Sequence, residues 1–159
     1  MNIRGQVSIE FILLIIIGLI YIHTAIWPVV NDAAAAAEDV KAVSDTKIAA
    51  QKLANAMNEA AASNGESRKT IQLFLPAGAA MACDPGNNEI KYGLQITGLY
   101  KRVPVGCVTP TDCTGSVKLL AGANPDCTAI TQAGKIEGPL FKEVVVEKIG
   151  GSISVKWAG

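Results

Sequence analysis

One carboxylate, Glu10, stands at the threshold of a run that is apolar from Phe11 onward. As a helix, residues 11–30 would extend roughly 30 Å, enough to cross a bilayer. A charge at that depth costs about 3 kcal/mol on insertion scales, so Glu10 calls for a partner. The residues before it offer one. A cut between Gly5 and Gln6 would remove Arg4 and leave a free α-amino group on Gln6, one helical turn from Glu10. A carboxylate in a low-dielectric setting is costly alone and far less so beside an ammonium. The pair could form within one chain, at i to i+4, or between the Gln6 amine of one subunit and Glu10 of another.

Other reactive side chains are sparse. Cys83, Cys107, Cys113 and Cys127 all follow the apolar run, and none forms C-x-x-C. His23 is the only histidine, so no zinc-type ligand set is present, and it reads as a bystander or a local hydrogen bonder. An even number of cysteines beyond a membrane segment reads as two disulfides, with three possible connectivities. The expected pairs are Cys107 with Cys113, closing a short loop, and Cys83 with Cys127. No phosphate loop, nucleophile elbow, zinc-protease helix or dinucleotide fingerprint occurs. A Ser-His-Asp set would have to draw on His23, inside the apolar run, and Glu137, Glu143, Glu147, Asp112 and Asp126 stand in solvent-type contexts. The expectation is a chain that is not an enzyme and uses no metal or cofactor. Net charge is zero as written and −1 once Arg4 is lost; without a basic block there is no electrostatic footprint for nucleic acid.

The N-terminal residues also carry a resemblance. Gly5-Gln6-x-Ser8-x-Glu10-Phe11, followed by Ile and Leu, resembles the class III signal of archaeal type IV-like pilins, in particular the subgroup whose processed chain begins with Gln. The match covers residues 1–30 only, but its positions agree at fixed spacing directly before a spanning segment. The resemblance implies cleavage between Gly5 and Gln6 by a prepilin peptidase on the cytoplasmic side. It also implies a cytoplasmic assembly ATPase, a membrane platform protein, and self-association into an extracellular pilus that serves adhesion or related surface functions. Glu10 would be the fifth residue of the processed chain, where this family keeps a Glu.

Three other readings use the same residues. A secretory signal needs an apolar core of 7 to 15 residues before a small-residue cleavage site; the run here is longer, although residues 33–37 could mimic such a site. A permanent anchor would let Glu10 snorkel toward headgroups and hold an extracellular binding domain at the membrane. A minor pilin or tip adhesin would use the same N-terminus with a ligand-reading head. Arg4 before the run, and Asp32, Glu38 and Asp39 after it, place the N-terminus in the cytoplasm and the rest outside.

The remaining chain must supply the stalk and head. Residues 11–27 are apolar all round, with Tyr21 and Trp27 suited to an interface and Pro28 expected to kink or loosen the helix. Residues 31–62 read as strong helix, so that residues 6–62 would form a rod of roughly 85 Å. On it Ala36, Val40, Val43, Ala50, Leu53, Ala54, Met57 and Ala61 fall in one arc, the seat for the head, with Lys41, Asp45, Lys52 and Glu59 opposite. Lys47 interrupts the edge of the arc. Ile48 projects onto the charged side, as a stray apolar residue or a contact with another subunit. Ser63-Asn64-Gly65 is the stop, with Asn or Gly able to take positive φ.

Beyond Gly65 the period changes to two. Residues 69–75 form a candidate strand ended by Pro76-Ala77-Gly78, and Ile90, Tyr92, Leu94 and Ile96 alternate with polar or small neighbours. Residues 100–108 and 116–121 are weaker candidates flanking a Cys-bearing loop. Residues 140–149 and 153–157 meet at Gly150-Gly151, a hairpin signal. The resulting expectation is α+β: a long hydrophobic then amphipathic N-terminal helix, with a small C-terminal antiparallel sheet of four to six strands packed on its second half. The segments are a leader at 1–5, a membrane or filament-core helix at 6–30, a continuing stalk at 31–64, and a disulfide-stabilised head at 65–159.

Overall fold

The computed structural model of this chain describes residues 3–95, 112–120, 125–128 and 136–158, with the side chains of residues 3–8, 112 and 113 outside that set. The chain divides into two units, Met1–Glu38 and Asp39–Gly159. It is α+β. Helix α1 (Ile3–Tyr21) passes through a π-helical turn (Ile22–Ile26) into helix α2 (Trp27–Ala62), and among the described residues eight strands follow.

The strands form two four-stranded sheets. Strands β1 (Ser67–Leu75), β7 (Leu140–Ile149), β8 (Ser152–Trp157) and β5 (Pro125–Asp126) make the first, in the order β1-β7-β8-β5. Strands β4 (Asp112–Lys118), β3 (Glu89–Gln95), β2 (Ala79–Asp84) and β6 (Ile136–Glu137) make the second, in the order β4-β3-β2-β6. All pairings are antiparallel except the short β5–β8 pair. The head is therefore larger in strand count than the one sheet expected. Strand β2 went unread because Ala-Ala-Met-Ala has weak strand propensity; its seat between β3 and β6 makes it a strand. Residues 100–108 lie outside the described set, and β4 begins ahead of the expected segment, taking Cys113 into a strand.

Alternation explains the sheets. Leu73, Leu75, Val144, Val146, Ile153 and Val155 from the first sheet and Met81, Ile90 and Leu94 from the second meet α2 in one core. Gly150 and Gly151, at φ 59° and 87°, form the β7–β8 turn in the left-handed region that glycine tolerates. Gly115 is needed because a Cβ there would run into the Tyr92 ring on the adjacent strand.

On α2 the buried face consists of Thr46, Ala49, Ala50, Leu53, Ala54, Ala56, Met57 and Ala60. Ala50, Leu53, Ala54 and Met57 lie where the periodicity puts them; Ala36 and Val40 do not, and both are exposed. The strands cover only the later turns, and the face rotates toward Ala49 and Ala56, which a pattern made largely of alanine marks poorly. Buried Thr46 satisfies its hydroxyl by donating to the Ala42 carbonyl at 2.8 Å. Nor does a left-handed residue end the helix, because Asn64 and Gly65 are not among the positive-φ positions. Instead Ser63 Oγ donates to the Ala60 carbonyl at 2.7 Å, and Lys148 Nζ donates to the carbonyls of Ala61 and Ser63 at 2.9 and 2.6 Å. A strand cation thus serves the helix's electronegative end.

A disulfide joins Cys83, at the end of β2, to Cys127, just after β5, and so ties the second sheet to the first. Cys107 lies outside the described residues, as does the side chain of Cys113.

Candidate assembly segment

The first unit is built from α1, the π turn and the first turns of α2. Its described apolar side chains are exposed: among the large hydrophobics from Ile9 to Val30, the least exposed is Ile26, at 44%. An 18-residue window of this helix has a mean hydropathy of 2.4, and none of it is buried. Among the described residues one helix is long and apolar enough to cross a membrane. A helix apolar all round asks for burial on all sides.

Glu10 is exposed, without a hydrogen bond or ion pair among the described residues. Gln6 lies one turn earlier on α1, with Gly5 and Ser8 on the same helix, and Phe11 follows Glu10 fully outside any core. The helix thus carries Gln6 and Glu10 at the i to i+4 spacing on which a processed amine would stand near the carboxylate.

Pro28 lacks an N–H, and its ring crowds the carbonyl four residues back, that of Thr24. The chain answers with the π turn: the Trp27 N–H donates to the Ile22 carbonyl, five residues back. This wider turn makes room for the ring, and the helix continues as α2. Thr24 Oγ1 donates to the Ile20 carbonyl at 2.7 Å. The loosened turn expected at Pro28 is this π turn, and the helix neither breaks nor ends there. His23 falls within it and has no partner among the described residues.

Among the described residues the head offers no comparable concentration of chemistry. Among the described residues no group of three His, Cys, Asp or Glu side chains could hold a metal ion. A shallow depression of about 470 Å³ lies over the second sheet, lined in part by Ala80, Ala82, Lys91, Gly93, Thr114 and Ser116. At its rim Lys91 Nζ is 2.6 Å from Asp84 Oδ2 and 3.7 Å from Glu89. The Lys91 hydrogen bond, helped by the side chain and N–H of Asn87, holds Asp84 down at about 2, and Asp84 in turn raises Lys91. Both stay charged near neutral pH and are poor proton exchangers there.

Phe74 and Phe141 were not singled out by sequence. For Phe74 the signal was its place between buried Leu73 and Leu75; Phe141 is its cross-strand partner, in a strand whose residues 144–147 are all buried.

Compared with protein-family models, curated proteins and solved structures, the chain matches none. Its architecture stands on its own geometry: a long apolar N-terminal helix whose second half packs against antiparallel strands. This is consistent with a pilin-like fold in general.

Proposed function

We propose that the chain is a structural subunit of an extracellular type IV-like pilus, made as a prepilin and cut between Gly5 and Gln6. The observation that carries this reading is the apolar helix, exposed on every side, with a lone carboxylate near its start. In the membrane, lipid covers the apolar side chains. In the filament, helices of neighbouring copies replace the lipid, and the new Gln6 amine pairs with Glu10, within a chain or across to the next. The class III signal resemblance supplies the other partners: a prepilin peptidase, an assembly ATPase and a membrane platform protein. In this reading the chain is a building block and not an enzyme.

Intact-mass measurement and N-terminal sequencing of protein from the native host test it. The expected chain lacks residues 1–5 and begins at Gln6. A chain that retains them would be a permanently anchored surface protein, and the filament reading would fall. Enlarging Gly5, as in Gly5→Leu, is expected to block the cut, since a subsite shaped for a residue without Cβ leaves little room.

A further inference from the structure

The stop of α2, Ser63-Asn64-Gly65, holds the single Asn-Gly pair of the sequence. Both residues are exposed in the bend between α2 and β1. The side-chain amide of Asn64 and the N–H of Gly65 make no hydrogen bond among the described residues; Gly65 engages only its carbonyl, which accepts from Ser63 Oγ at 3.1 Å. The amide carbon of an asparagine and the main-chain nitrogen of its successor can close a five-membered ring. A Cβ on the successor crowds that closure, and glycine has none. Around Gly65 the space is open, since a Cβ built there would meet nothing within 4 Å.

The other described asparagines lack these conditions. None is followed by glycine: Asn31 precedes Asp32, Asn55 precedes Ala56, Asn58 precedes Glu59, Asn87 precedes Asn88, and Asn88 precedes Glu89. Asn31, Asn55 and Asn58 lie inside α2, where the N–H of the next residue is committed to the helix. Three side-chain amides are also held in place. Asn58 Oδ1 accepts from the Leu120 N–H at 2.8 Å, Asn87 Nδ2 donates to Asp84 Oδ2 at 2.8 Å, and Asn88 Nδ2 donates to the Leu120 carbonyl at 2.6 Å. Asn64 alone among them joins a glycine successor, a free amide and open surroundings.

We propose that Asn64 is a site of self-modification, converted through a succinimide to isoaspartate and aspartate. The Gly65 nitrogen gives its proton to hydroxide and attacks Cγ of Asn64. A Cγ–N bond forms, the Cγ–Nδ2 bond breaks, and the amide nitrogen leaves as ammonia. Water then opens the ring at either carbonyl, and no electrons are gained or lost. The proposal goes beyond the filament reading and does not depend on it. Its product is a new carboxylate just past the end of α2, where the helix alone would disfavour negative charge. Lys148 Nζ, already on the carbonyls of Ala61 and Ser63 at 2.9 and 2.6 Å, supplies a cation beside it. The isoaspartyl form also adds a methylene to the main chain between α2 and β1, outside the core. The surface charge of the head therefore changes with the age of the chain.

The test incubates the full, detergent-solubilised chain in heavy-oxygen water at mildly alkaline pH and follows each asparagine by peptide mapping with fragment masses. Digestion in ordinary water lets the label separate conversion in the folded chain from conversion during digestion. The expected result is a growing fraction of residue 64 as isoaspartate and aspartate, both carrying heavy oxygen. Asn58, Asn87 and Asn88 should convert more slowly by about tenfold or more, the factor given by about 1.4 kcal/mol of added barrier. Gly65→Ala, placed where a Cβ has room, is expected to slow residue 64 to a similar degree. An Asn64 that keeps its amide, a product without isoaspartate, equal conversion at the other three asparagines, or an unchanged rate in Gly65→Ala would each overturn the proposal.

Discussion

Leu14 and Leu53 are the same side chain on the same kind of helix, and their surroundings are opposite. Leu14 is 66% exposed and Leu53 fully buried. Around Leu53 the helix presents alanines to two sheets that supply the bulk, so its apolar face is satisfied within the chain. Around Leu14 the other large apolar side chains of α1 are exposed as well. Helical structure alone thus says little about what a segment is for. The burial of its apolar side chains says more: those of the second unit pack into a core, and those of the first lie exposed.

The largest expected effect breaks the first unit where it departs from apolarity. Glu10→Ala is expected to leave cleavage at Gly5/Gln6 largely intact and to cut the yield of sheared filaments tenfold or more, as the loss of about 1.4 kcal/mol or more per subunit contact would. Filaments of normal yield would remove the role given to the carboxylate.

Next comes the comparison itself, read by denaturant unfolding of the detergent-solubilised chain. Leu53→Ala is expected to destabilise the head by about 2–5 kcal/mol, the range for a buried leucine. Leu14→Ala should change head stability by less than about 0.5 kcal/mol. Equal effects would mean that the two units share a core.

Reduction of Cys83–Cys127, which closes a separation of 44 residues, is expected to cost the head about 2–4 kcal/mol, read from the shift of the same transition. It should leave the helicity of the apolar segment unchanged in circular dichroism.

The smallest effect is electrostatic. Asp84 is held at about 2 by Lys91 and Asn87. A carboxylate whose folded value is depressed contributes stability above its unfolded range and loses it as the pH falls through the folded value. Asp84→Asn should therefore flatten a slight fall in head stability between about pH 4 and pH 2 and leave the head slightly less stable than the parent chain at neutral pH, where the paired carboxylate contributes fully.

Much of the molecule was legible residue by residue. The spanning run, the alternation of Ile90, Tyr92 and Leu94, and the Gly150-Gly151 turn each depend on neighbours a few positions apart, where helix and strand periods operate. What was missed depends on partners far along the chain. Alanine and methionine in β2 become a strand because β3 and β6 flank them. The buried arc of α2 is set by where the sheets lie, so Val40 is exposed and Thr46 is not.

By itself the sequence determined that an apolar helix with one acid at its start leads a strand-rich head, because hydropathy, charge and local period are properties of the chain read in order. Only the tertiary structure decided that Cys83 meets Cys127, that Lys148 closes the end of α2, and that Phe74 and Phe141 share an outward face. Those outcomes rest on strand register and on the close packing of one core, which bring together residues that no spacing along the chain connects.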